Sequence, residues 1–349
     1  MEAAFREAHL DAQPIRNLGL DIEGTRLQPL VEEFRGELRA ARVTRLQPRF
    51  YLSTEWGVAF GTIAIAIPFY LSRPELAALH AERTGMVEGF DAAELLRYLR
   101  HEMGHVVNYA YKLYERREWV QAFGAITQPY VDEYRPIPFS RRFVRHLPGW
   151  YAQKHPDEDW AETFAVWMTP ATAAKPDTKN DWRVEYADRP TALGKLILCD
   201  EMMREIGGAA PVVTDDALDE PVGSIGISLD DFYRGWDARG PEAPPPGLDG
   251  SLRAVFATAR SGGAAPTAGE RRAATALLRR LEPLLCTEVY RWTGHFPERS
   301  RPLVRQLAER AAAMQLDYAV ADEPAVTVAL TALVTALAMN HVHRGSYLP

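Results

Sequence analysis

The chain has 349 residues, 47% hydrophobic and 25% charged, with a formal net charge of −7. That length and balance fit a soluble globular protein of more than one domain. An acidic excess without a basic run excludes nucleic acid as the expected partner, and two cysteines leave no disulfide framework to argue.

The opening MEAAFREAHLDAQPIRN lacks a basic segment followed by an apolar one, so no secretory signal is expected and a cytoplasmic location is the default. Leu27, Leu30, Val31, Phe34, Leu38 and Ala41 then fall on one face of a helix. Strand character follows at Arg49 to Trp56, a turn region at Gly57 to Gly61, and a second strand at Thr62 to Tyr70. There Ile63, Ile65 and Ile67 alternate with Ala64 and Ala66, which predicts one well-buried face. The apolar run is too short for a bilayer, and no membrane partner is expected. Pro68 cannot donate to a ladder, which places the strand at an edge. Such an edge can accept an extended peptide as a further strand or stand protected without a ligand. Residues 73–84 read as a short helix closed near Gly85.

Asp91 and Glu94 form a capping-box pattern, and Leu95, Leu99, Met103 and Val106 make one buried stripe of a helix expected to reach about Trp119. This helix carries His-Glu-Met-Gly-His at 101–105. Residues four apart share a helix face, so His101 and His105 can grip one zinc ion. Glu102, beside the first of them, is then the candidate general base for an attacking water. The plain alternative is two satisfied, partly buried histidines. Gly104 costs a helix interior roughly 1 kcal/mol against alanine, so a close neighbour is expected there.

Gln128 to Gly149 reads as an irregular crossing segment, whose Arg141, Arg142 and Arg145 form a solvated face or touch substrate. The second informative stretch runs from Trp150 to Pro170 and holds a helix started at Pro156 and ended at Thr169-Pro170. Asp157, Glu158 and Asp159 can serve simply as partners of the helix dipole. Yet Glu158 and Glu162 are four apart between Trp160, Phe164 and Trp167, and a buried carboxylate row needs a positive or hydrogen-bonding partner. Zinc held by the two histidines supplies one. Catalytic zinc takes three protein ligands and keeps a place for water. Glu158 is the preferred third ligand and Glu162 the acceptor for a ligand histidine's free N–H; the swapped assignment stays open. His155 and Asp159 point to other sides.

HEMGH followed by HPDEDWAETFAVW, together with FYLSTEW and IAIPFYL, resembles the bacterial putative zinc-binding metallopeptidase family of gluzincin type. Lethal-factor-type peptidase cores have a related layout, with Glu-x-x-Ala-Glu on the second helix, here Glu158 to Glu162. The resemblance implies a zincin-like fold, one Zn2+ per chain, Glu158 as ligand and Glu162 as its supporter. It also implies an oxyanion-stabilising tyrosine at Tyr151, seven residues before the ligand. It covers roughly residues 25–210 and is silent beyond.

Leu193, Leu196, Ile197, Met203 and Ile206 form the apolar face of a helix at 190–206, with Cys199 as a buried thiol. Loops are expected at 207–211, 241–250 and 261–269. Helices follow at Glu270 to Trp292, Arg301 to Leu316 and Pro324 to His343, the last apolar enough to be buried on most faces. His341 and His343 face different sides of it.

The expected architecture is α+β. A zincin-like metallopeptidase domain covers 1–210, with a small sheet, an edge strand, an active-site helix and a third-ligand helix. A linker with short elements covers 211–250, and an all-α domain 251–349. The expected function is a zinc-dependent peptidase, an endopeptidase acting on protein or peptide, with His101, His105 and Glu158 on the metal and Glu102 and Tyr151 catalytic. The alternative is a catalytically inactive metal-binding or interaction protein acting through its C-terminal helices. Hydrolysis of a non-peptide amide is a third reading.

Overall fold

Leu27, Val31, Phe34 and Leu38 turn inward together on α1 (Leu27–Ala40), as their spacing dictates. This is the first α-helix among the residues described by a computed structural model, which are 12–84, 86–131, 134, 136, 137, 139–172, 175–179, 181–237, 248–257, 271–345 and 347. The chain divides into one unit of Met1–His80 with Val87–Arg234, and a second of Ala81–Met86 with Gly235–Pro349. Helices with small sheets make the protein α+β.

In the first unit β1 (Arg49–Ser53) and β2 (Ala64–Pro68) pair in parallel, with Arg49 opposite Ala64 and Ser53 opposite Pro68. The connection is shorter than the dozen or more residues such a crossover usually takes. It folds back so that Ala66 N donates to Gly57 O at 2.8 Å, which protects the strand edge at that point. The expectation of one buried face is corrected: all five residues of β2 are buried. Ala64 and Ala66 pack with Tyr51, and Leu218 lies against them. Residues 215–220 run beside the strands: Asp215 O accepts from Ile63 N at 2.7 Å, and Asp219 O from the Tyr51 hydroxyl at 2.9 Å.

After α2 (Pro74–Thr84) comes α3 (Ala92–Ala110). Asp91 caps it by accepting from Glu94 N at 2.8 Å, and the Glu94 carboxylate returns to Phe90 N. The helix stops short of Trp119. Lys112 adopts a left-handed conformation, and a separate α4 (Arg117–Phe123) follows. Then come a 3-10 segment at Pro148–Gln153, α5 (Pro156–Met168), and the antiparallel pair β3 (Pro170–Thr172) and β4 (Lys175–Lys179). The helices α6 (Trp182–Glu185), α7 (Pro190–Ile206) and α8 (Leu229–Asp237) follow.

Helices α3 and α5 cross at Gly104. A Cβ there would lie 2.7 Å from Ala161 Cα and 3.1 Å from its carbonyl oxygen, so only glycine admits this approach. Trp160 Nε1 donates to Gly104 O at 2.8 Å and closes the seam. The expected close neighbour of Gly104 is thus the backbone of the second helix.

The second unit holds α9 (Leu248–Ala257), β5 (Arg271–Ala273), α10 (Ala274–Thr293), α11 (Pro297–Ala313), β6 (Asp317–Ala319) and α12 (Glu323–Arg344). Leu252, Leu278, Val304, Leu307, Leu330 and Val334 centre its core. Two expectations are corrected here. The unit is not all helical, because β5 and β6 pair antiparallel, fastened by Arg271 against Asp317 and by Ala274 N on Leu316 O. That pairing satisfies the uncapped start of α10. Nor is α12 buried on most faces. Val326, Leu330, Val334, Leu337, Ala338 and His341 form a single inward stripe, while Val328 is 70% exposed. Val320–Arg344 is long and apolar enough to cross a membrane by length and composition alone. Of the expected loop at 241–250, residues 241–247 lie outside the described residues and 248–250 are instead the first turn of α9; the expected loop at 261–269 lies outside the described residues.

Candidate metal centre

One turn of α3 separates His101 from His105, and both rings lean toward the first turns of α5. Glu158 Oε2 lies 3.0 Å from His101 Nε2 and 3.3 Å from His105 Nε2, and the two nitrogens are 3.3 Å apart. A tetrahedral ion with bonds of about 2.0–2.1 Å sets its ligand atoms roughly 3.3 Å apart, so this triangle fits zinc. Two nitrogens and one oxygen also suit zinc better than calcium or magnesium, which take oxygen. All three side chains are buried, and among the described residues they form the one cluster of this kind.

Each candidate ligand is held from behind. Glu162 Oε1 lies 3.0 Å from His101 Nδ1, and its two oxygens accept from the backbone N–H of His146 at 2.7 Å and of Leu147 at 3.0 Å. Asp157 Oδ2 lies 3.0 Å from His105 Nδ1, an ion-pair distance rather than an aligned hydrogen bond. The same carboxylate accepts from Asn108 Nδ2 at 2.7 Å and from the Tyr109 hydroxyl. The Tyr130 hydroxyl donates to Glu158 Oε1 at 2.7 Å.

Electrostatics follow the same map. Burial alone would lower both imidazoles, but hydrogen bonds donated to the Glu158 and Glu162 carboxylates bring His101 up to about 9. The Asp157 and Glu158 charges likewise raise His105. The imidazoles in turn hold Glu158 well below the usual carboxylate range against the opposite pull of burial. Burial raises Glu102, with His101 and His105 pulling the other way. Burial and the neighbouring carboxylates raise Tyr109, Tyr130 and Tyr151, so each phenol stays a donor at neutral pH.

The structure thus brings together His101, His105, Glu158 and Glu162 from two separate stretches. Tyr151 follows two left-handed residues, Gly149 and Trp150, which turn the chain so that its ring lies 5.5 Å from His101. His155 is no ligand; its Nδ1 caps α5 by accepting from Asp157 N, and its Nε2 meets Gln128 O. Asp159 pairs with Lys195, and burial pushes it up to about 7 against that pull. Arg141 pairs with Asp188, and Arg145 stacks 4.6 Å over Trp150. Sequence reasoning missed Asp157 and Tyr130. Asn108, a polar residue on the inward side of an apolar helix, was the available signal for Asp157; an irregular segment offers none for Tyr130.

No curated protein and no solved structure matches the chain, so a similarity to lethal-factor-type cores is not shown. Residues 54–205, which contain all of α3 and α5, match the model of a family described as putative zinc-binding metallo-peptidase, and a zinc peptidase is what match and metal triad together support.

Proposed function

We propose that the protein is a zinc-dependent endopeptidase of the cytoplasm, gluzincin-like, with His101, His105 and Glu158 as ligands. In this reading residues 1–210 form the zincin-like catalytic domain, 211–250 connect, and 251–349 form a helical domain. The observation that carries the proposal is the triangle of two imidazole nitrogens and one carboxylate oxygen at tetrahedral spacing, on helices inside the matched stretch. Three protein ligands are the number at which catalytic zinc keeps a place for water.

Zinc, when bound, polarises the scissile carbonyl and makes a water acidic enough to ionise near neutral pH. Glu102 takes the proton from the attacking water and passes it to the leaving amine. Its buried setting raises its hold on that proton, which suits both halves of the transfer. Glu162 accepts from His101 Nδ1, so Nε2 would be free to face the metal; Asp157 lies at ion-pair distance from His105 Nδ1 and favours a proton there by charge. Tyr151 offers its phenol to the carbonyl oxygen as charge builds there.

The test is Glu102→Gln. It should keep one zinc per chain while peptide cleavage falls about 10³-fold; undiminished cleavage would remove Glu102 from the role. The apolar outer face of α12 favours the second reading, an interaction protein without catalysis. Cleavage by wild type that Glu102→Gln abolishes decides between the two.

A further inference from the structure

The two oxygens of Glu158 are engaged differently. Oε2 faces both imidazole nitrogens, while Oε1 is turned to Tyr130. A carboxylate bound to a metal through one oxygen takes one coordination position, and through both it takes two. With His101 and His105 already in place, only the first mode leaves a tetrahedral ion room for water.

We infer that Tyr130 is a positioning residue that keeps Glu158 monodentate by occupying Oε1, and so holds the loaded site four-coordinate with water as the fourth ligand. This rests on the reading of His101, His105 and Glu158 as ligands. Tyr130 is built for the role. The residue is 51% exposed, yet its hydroxyl reaches inward to the buried carboxylate. The ring lies 5.3 Å from that of His155, the residue that caps α5. The Lys154 ammonium sits 4.3 Å over the ring. The phenol is thus tied to the same end of the same helix as the carboxylate it holds, and the two keep their relation if α5 shifts. Tyr151 does not duplicate it. Its hydroxyl stands 3.5 Å from that of Tyr130 and 3.4 Å from Lys154 Nζ, behind the hydrogen bond rather than in it.

The experiment loads wild type, Tyr130→Phe and Tyr151→Phe with Zn2+ for X-ray absorption and with Co2+ for visible absorption. Wild type and Tyr151→Phe should be four-coordinate with intense cobalt bands. Tyr130→Phe keeps the ring of a half-exposed residue, so folding is undisturbed; the freed Oε1 should bring a fifth ligand and about halve the visible absorptivity. Its kcat should fall with KM little changed. A Tyr130→Phe spectrum identical to wild type overturns the inference while leaving the ligand assignment standing, and equal changes in both variants overturn the specific part given to Tyr130. Wild type that takes up no metal overturns the ligand assignment itself.

Discussion

Helix α5 carries four carboxylates in its 13 residues and is buried from Pro156 to Met168, whereas α12, apolar at most of its 22 positions, buries one stripe. Hydropathy alone would rank them the other way. Burying an unpaired charge costs several kcal/mol, so a helix like α5 can lie inside only if each charge is met. Each is: Asp157 by Asn108, Tyr109 and His105, Glu158 by both histidines and Tyr130, Asp159 by Lys195, and Glu162 by His101 and two backbone amides. Where a helix sits is decided by the partners that neighbouring elements bring, and among the described residues of its own unit α12 meets them along a single stripe.

The sharpest way to break the contrast is at the crossing. In an ordinary exposed helix Gly→Ala stabilises by roughly 1 kcal/mol. Gly104→Ala should instead destabilise by about 3 kcal/mol, because the new methyl meets Ala161 backbone at 2.7 Å. Urea unfolding reads the sign directly. Next in size is Glu162→Gln, which removes the acceptor behind His101 and puts an amide against the His146 and Leu147 N–H groups. Zinc affinity should drop about 10–100-fold in a chelator competition, and unchanged affinity would show that Glu162 does not support the metal.

Acid tests a different pair of sites, one in each unit. Burial lowers His80 and His295 to about 3 from 6.5. Both are therefore neutral in the fold while the unfolded chain protonates near 6.5. Stability is complete above that pH and falls as pH drops from 6.5 toward 3, with each histidine contributing up to about 1.4 kcal/mol per unit. Urea midpoints at pH 7 and pH 5 measure this, and no difference would count against buried neutral histidines. The smallest effect is expected on the outer face of α12, where Ala332 is exposed. Ala332→Ser should change stability by less than about 0.5 kcal/mol in the same unfolding assay; a larger loss would mean that something covers this face.

Much of the site was legible because it is local. The cap at Asp91, the pair His101 and His105, the row Glu158 and Glu162, and the meaning of Gly104 all follow from helical spacing. What was lost depends on pairing between distant segments. Nothing in β1 or β2 announces that they run parallel, since that depends on how residues 54–63 fold back over Ala66. Asp157 fits a helix dipole and a histidine support equally well until Asn108 and Tyr109 are seen to converge on it. Tyr130 lies in a stretch with no period to read. The over-reading of α12 has the same root: composition gives a helix's affinity for a core, not the number of sides from which a core approaches.

Two moorings lie one residue from the candidate metal ligands. Arg100, next to His101, is clamped through two nitrogens to buried Glu37 of α1, and Asp159, next to Glu158, is clamped to Lys195 of α7. Both ties run to helices outside the cradle, so the cradle is braced without its ion. Unlike a zinc finger, this scaffold should outlive demetallation. Loss of a bound cation would leave the architecture waiting for its return.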